Sequence, residues 1–196
     1  LFGLNERTGI EIEEAAPQIA NEFPVMAAIG QSNNNYTTVQ LARYVTAVAN
    51  EGTVYQYTLL NRLEDSDGNV LQTFEPQVRN QIDVLDTEEW NAIHSGMRMV
   101  VENTKEFDGF PIEAAGKTGT AQQNLKRPNH ALSVGYAPYD DPEISIATRI
   151  AYGYTSHNAA KLARNVFAYY FNVENEDELL NGQAANGNSS SNEISD

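Results

Sequence analysis

The stretch EAAGKTGTAQQ, residues 113–123, sets a charge, two hydroxyls and a bare backbone position in a row. The alternation that follows it reads as strand, and Gly119 fits a sheet edge where another backbone must come close. On such a strand Thr118 and Thr120 share one face, because side chains alternate with period two. Lys117 falls on the other face unless the strand bends. The threonine hydroxyls can hold a carboxylate, and Lys117 supplies a fixed positive charge. The Thr120 amide, if no neighbouring strand takes it, can donate to a developing oxyanion. One such donor lowers a barrier by about 3–4 kcal/mol. Together these groups suit acyl transfer on a peptide that ends in a carboxylate. An ordinary polar strand with a chance four-residue match is the alternative reading of the same residues.

Two other chemistries fall away. Gly116-Lys117-Thr118 looks like the end of a phosphate-binding loop, but the glycine that loop needs five residues earlier is Pro111. His94, His130 and His157 have no metal-ligand spacing, and there is no cysteine, so neither a metal nor any other cofactor is expected. The formal net charge of −15 argues against a nucleic-acid partner, which needs clustered Lys and Arg. It argues equally against an anionic membrane surface. No apolar run approaches the roughly 18–20 residues that span a bilayer.

The elements that must position Lys117 follow from periodicity. YTTVQLARYVTAVANEG predicts a helix with Thr37 as N-cap and Gln40 completing a capping box. Leu41, Ala42, Val45, Val48 and Ala49 share its apolar face, and Gly52 is placed as its left-handed stop. The β-branched and aromatic residues after it predict a hairpin, 54–63 against 69–74, around the turn DSDGN. A second helix, DTEEWNAIHSGMRMVVEN, carries another capping box, Asp86 with Glu89, and a face of Trp90, Ile93, Met97 and Val101. HALSVGYAP and EISIATRIAY alternate like strands and should pair across YDDP. A last helix from Ser156 presents Ala160, Leu162, Ala163, Val166, Phe167 and Tyr170. The expected fold class is α+β, an antiparallel sheet packed with helices. From about residue 174 the chain is acidic, rich in Asn, Ser and Gly and without a basic residue. The expected division is a folded part at 1–172 and a disordered tail at 173–196.

K-T-G is the third box of penicillin-binding proteins and serine β-lactamases, after S-x-x-K and S-x-N. Here it is extended to GKTGTAQ. FGLNERTGIEI is similar to the family's stretch just after the second box. AAIGQ with TTVQLARYVTAVANEG is similar to its next helix, and HALSVGYAP to its end. Over residues 1–172 the chain resembles the C-terminal part of the transpeptidase domain of a class B penicillin-binding protein, of the penicillin-binding protein 2 type. The resemblance implies part of the serine β-lactamase/transpeptidase-like fold and a peptidoglycan D,D-transpeptidase. In that reaction a serine attacks the D-Ala-D-Ala end of a stem peptide, releases D-Ala and passes the acyl group to an amine. The implied partners are the stem peptide or a β-lactam. Lys117 is then a catalytic neighbour of the serine, and the Thr120 amide is half of the oxyanion hole. Thr118, Gly119, Thr120 and Gln122 line the substrate, and the loop NLKRPN lies beside the cleft.

One departure matters. Three residues before Lys105, Lys117, Lys126 and Lys161 stand Glu102, Ala114, Gln123 and Asn158, so the chain contains no S-x-x-K. Ser32-Asn33-Asn34 matches S-x-N, but it sits where the family has a variable polar turn. The start, LFGLNERTG, reads as the interior of a longer protein. The expectation is a portion of an extracytoplasmic enzyme, anchored in the membrane through a preceding segment and inactive alone. The rest of the parent chain is its partner, and self-association is expected through a core face left open. A catalytically silent penicillin-recognising or scaffold module of the same fold stays open as the alternative.

Overall fold

The computed structural model describes residues 1–123, 125–175 and 179. In chain order it has α1 (Pro24–Ala28), α2 (Thr38–Ala49), β1 (Thr53–Gln56), β2 (Arg62–Glu64), β3 (Val70–Thr73), β4 (Gln77–Gln81) and α3 (Thr87–Glu102). A 3₁₀ turn at Lys105–Phe107 leads to β5 (Ala115–Ala121), β6 (His130–Ala137), β7 (Ile144–Ile150) and α4 (Ser156–Tyr170). Among the described residues no helix is long and apolar enough to cross a membrane.

The last three strands form an antiparallel sheet in the order β5-β6-β7, which leaves β5 at one edge and β7 at the other. The ladder is unbroken from Ala115 opposite Tyr136 to Ala121 opposite His130. Its tightest point is Gly116 facing Gly135. A Cβ on Gly116 would lie 2.8 Å from the Val134 carbonyl oxygen, and one on Gly135 2.7 Å from that of Ala115. Alternation then sends the two faces of the sheet to different helices. Ala115 and Tyr136 pack with Val45 and Ala49 of α2. Ala114 and Ala137 pack with Val101 of α3 and Phe167 of α4. On that second face the Thr148 hydroxyl, which can donate only one proton, lies within reach of the carbonyls of Ser133 (3.3 Å) and Ala159 (3.1 Å).

Both capping boxes form. The Gln40 amide donates to Thr37 Oγ1 at 3.2 Å and the Thr37 amide to Gln40 Oε1 at 2.8 Å. Asp86 and Glu89 exchange the equivalent pair, each at 2.9 Å. The strand pair β6–β7 is also as the alternation predicts.

Five expectations need correction. The single hairpin over 54–63 and 69–74 is two ladders: β1 pairs with β4, and β2 with β3. Glu11 separates them, because its carboxylate accepts from the Thr58 hydroxyl and, at 2.8 Å, from the Leu59 amide that a continuous strand would have put into the ladder. At the end of α2 the left-handed C′ residue is Glu51 (φ 49°), with Gly52 following at φ 99°. Gly52 is needed for closeness, since a Cβ there would stand 2.5 Å from the Ile82 carbonyl oxygen. Ile93 is exposed, and His94 takes its place, bonding the Val48 carbonyl at 2.8 Å and meeting Tyr136 edge-on. The buried face of α4 is narrower than predicted: Ala159, Ala160, Ala163, Phe167 and Ala168 are covered, while Leu162, Val166 and Tyr170 are exposed. The folded part also runs past 172. The Val173 amide bonds the Ala168 carbonyl at 3.0 Å, and Arg164 holds the Glu174 carboxylate, lowering its pKa. Of the proposed tail, 176–178 and 180–196 lie outside the described residues.

Candidate active site

The outer edge of β5 is where the predicted residues meet. Side chains meet three carbonyls along this edge, that of Ala114 just before β5 and those of Thr118 and Thr120 within it. Arg98 Nη1 donates to Ala114 O at 3.1 Å, Lys117 Nζ to Thr118 O at 2.8 Å, and Gln31 Nε2 approaches Thr120 O at 3.5 Å. In an antiparallel ladder the N–H and C=O of one residue point to the same side. Thr118 and Thr120 therefore turn their amides, as well as their carbonyls, away from β6. The alternate residues Lys117 and Gly119 pair with Val134 and Leu132. The Thr120 amide is therefore not taken by β6.

The side chains divide as period two demands. Lys117 stands in the row of Val134, on the α2 face, and Thr118 and Thr120 in the row of Ser133 and Ala131, on the α4 face. Lys117 nevertheless brings its ammonium back to the strand edge, at the Thr118 carbonyl, so charge and hydroxyls border the same edge from opposite faces. Gly119 differs from Gly116. A Cβ on it would meet only Leu132 Cβ, at 3.8 Å, an ordinary contact. The fold of this chain does not require a glycine there.

Arg98 also pairs with Glu102 and Glu113, each at 3.3 Å, which anchors α3 at the start of β5, where Ala115 and Gly116 are buried; beyond them Lys117 is exposed and 118–121 are half-buried. Behind the strand is a small cavity of about 10 Å³, lined by Val101, Thr104, Thr118, Ser133 and Phe167. It has room for one water and no substrate. Beyond β5, Gln122 is exposed and Gln123 turns back to His130. His130 Nε2 bonds Gln123 Oε1 at 2.9 Å, and His130 Nδ1 lies 3.1 Å from the Tyr152 amide nitrogen. The Tyr152 amide can only donate, so the imidazole is neutral with its proton on Nε2. Burial, and after it the charge of Arg149, lower the His130 pKa. Arg127 lies over the Tyr152 ring and donates to its hydroxyl at 2.7 Å, so the loop after β5 is tied to the β7–α4 turn.

Comparison with known proteins decides the family. The penicillin binding protein transpeptidase domain matches residues 1–168. The chain belongs to this family. It is 27% identical to penicillin-binding protein 2A of Bacillus subtilis over 94% of its own length and 29% of that protein's. It is 32% identical to the peptidoglycan D,D-transpeptidase MrdA of Haemophilus influenzae over 87% of this chain and 31% of the relative. The solved penicillin-binding protein 2B of Streptococcus pneumoniae superposes with a TM-score of 0.77 at 25% identity, covering 88% of this chain and 31% of that one. The chain thus spans about a third or less of these penicillin-binding proteins, and its fold is part of their transpeptidase domain.

Within this family frame, the S-x-N match is a loop feature. The Ser32 hydroxyl donates to Glu22 O at 2.6 Å, and Asn33 Nδ2 to Asn21 Oδ1 at 2.6 Å. Its neighbour Gln31 does reach β5, and sequence reasoning gave it no role. The signal was present in AAIGQ, but the 89 residues that separate Gln31 from Thr120 hide the contact. Arg98 was missed for the same reason.

Proposed function

We propose that this chain supplies the β5 wall of a peptidoglycan D,D-transpeptidase, with the serine nucleophile coming from chain outside residues 1–196. The observation that carries this reading is the edge of β5, with Thr118 and Thr120 amides turned outward and a Gly119 that the fold does not demand. A stem peptide, or a β-lactam in its place, lies along this edge. The Thr120 N–H donates to the oxyanion as the serine oxygen adds to the D-Ala carbonyl. The Thr118 and Thr120 hydroxyls hold the terminal carboxylate, the Lys117 ammonium provides charge beside the serine, and Gly119 lets the acyl chain pass. Gln122 borders the acyl chain beyond β5. Collapse of the tetrahedral adduct expels D-Ala, and an amine of a neighbouring stem then takes the acyl group and frees the serine.

The other edge of the sheet fits the same reading. β7 has β6 on one side only, with α2 and α4 packed on it. A further strand from the rest of the parent chain completes it. The parent is anchored in the membrane by its N-terminal part and works outside the cytoplasm.

The test is acylation of the full-length protein by penicillin, read by intact mass. The expected result is a single covalent adduct, with Thr118→Val slowing its formation at least tenfold, in line with the loss of a carboxylate partner of ~1.5–3 kcal/mol. No adduct on the full-length wild type would move the assignment to a silent recognition or scaffold module.

A further inference from the structure

The segment before α2 contains a device whose end point is β5. Helix α1 is a single short turn with no buried residue, so packing does not explain its closure. It closes nonetheless by a complete left-handed cap. The Gly30 amide bonds the Ala27 carbonyl at 3.0 Å and the Gln31 amide the Met26 carbonyl at 2.9 Å, with Gly30 at φ +79°. This is the double bond pattern that ends helices on glycine. Nothing lies within 4 Å of a Cβ on Gly30, so the conformation alone calls for glycine. The Gln31 carbonyl is held too, by Asn34 Nδ2 at 3.2 Å. Both backbone groups of Gln31 are therefore fixed, and its half-buried side chain is delivered to the Thr120 carbonyl.

At 3.5 Å that contact is longer than an ordinary N–H···O bond of about 2.7–3.2 Å. Such bonds in unliganded sites are often loose and tighten when the reacting group is bound. The carbonyl has two lone pairs, so Gln31 leaves one for a substrate N–H.

We propose that Gln31 is a positioning residue of the β5 edge. Its side-chain amide holds the Thr120 carbonyl outward. Because the N–H of the same residue points to the same side, this keeps the Thr120 amide aimed at the developing oxyanion. The inference rests on the transpeptidase reading, and its test separates the two. In the full-length protein, Gln31→Met removes the donor at nearly constant length, and Gln31→Lys restores a donor. Two readouts are taken, the penicillin acylation rate at saturation and hydrogen exchange of the amides of 118–121. Gln31→Met is expected to slow acylation about tenfold, less than the loss of the oxyanion donor itself. It leaves the penicillin dissociation constant within about twofold and the melting temperature within about 2 °C, as for a change that opens no core. Exchange at 118–121 accelerates, and Gln31→Lys recovers a third or more of the rate.

Wild-type acylation and exchange in Gln31→Met would overturn the inference. So would equal losses of rate and melting temperature in the Met and Lys variants, which describe a staple of the fold. If the wild type itself takes no penicillin, the transpeptidase reading fails. Exchange then decides Gln31 alone: acceleration at 118–121 keeps its positioning role, and no change removes it.

Discussion

Gly116 and Gly119 stand three residues apart on one strand and answer to different demands. Gly116 faces Gly135 across a gap that no Cβ fits, so Gly116→Ala should destabilise the chain by about 1–3 kcal/mol, as overpacking does. Gly119 has room, so Gly119→Ala should change stability by less than about 0.5 kcal/mol. In the full-length protein it should slow penicillin acylation more than tenfold. Urea denaturation of both variants beside acylation kinetics checks the contrast; a Gly119→Ala protein that acylates normally would leave the bare position without a role. Period-two alternation is local, which is why the rows of Lys117 and of Thr118 with Thr120 could be read from seven residues. Gln31 and Arg98 could not, because their bonds, to Thr120 and to Ala114 just before β5, come from other elements of the chain. His130 gives a prediction of its own. Its folded pKa lies below the ordinary value of about 6.5, so the unfolded chain binds the proton first as the pH falls. Its contribution is complete above about pH 6.5 and is lost as the pH falls from there through the folded pKa. Melting temperatures measured from pH 7.5 to 5.5 should fall, and His130→Gln should flatten that slope. Glu174, lowered by Arg164, acts in a separate window below about pH 4.5.

At the scale of elements, helix starts were legible because a capping box is written within four residues. The two boxes are not equal in the structure. Asp86 serves its own helix. Thr37 also donates to Glu14 Oε1 at 2.9 Å, and Glu14 in turn holds the Thr8 amide at 2.7 Å and hydroxyl at 2.9 Å. Thr37→Ala should therefore cost more than Asp86→Ala, about 2 against about 1 kcal/mol, in matched urea unfolding. Equal losses would mean that Glu14 finds another partner. The segment before α2, residues 1–14, lies over α2 as a strap and buries polar residues that periodicity does not place on its apolar face. Arg43 is fully buried on α2, where it bonds the carbonyls of Gly3, Glu6 and Arg7, and burial lowers its pKa. Gln40 Nε2 reaches the Glu6 carbonyl at 2.7 Å. A polar residue under a strap looks, in the sequence, like one facing water. Glu11 shows the converse at β1, where a side chain from the strap takes the Leu59 amide and ends a strand that composition would have continued.

The whole molecule places an unusual amount of apolar surface in water. Phe23, Val25, Met26 and Ile29 are 63%, 80%, 46% and 72% exposed around α1. These side chains and, at the opposite side of the sheet, the open edge of β7 are two separate surfaces that want a cover. In solution the chain of 196 residues alone should self-associate with rising concentration, and Val25→Lys with Ile29→Lys should shift it toward monomer in light scattering. The same chain holds one wall of the proposed site and contains no S-x-x-K, so within residues 1–196 the donor proposed at Thr120 has no lysine-paired serine beside it. A hydroxyl becomes a nucleophile only when a base lies within hydrogen-bond reach. The serine that comes nearest in sequence terms, Ser32, spends its proton on the Glu22 carbonyl. Incubated with penicillin, this chain should therefore remain at its unmodified mass while the full-length protein gains one adduct. A stable adduct on residues 1–196 would mean that a serine within them is activated without a lysine three residues on, and the division of the site between two parts of the parent would have to be abandoned.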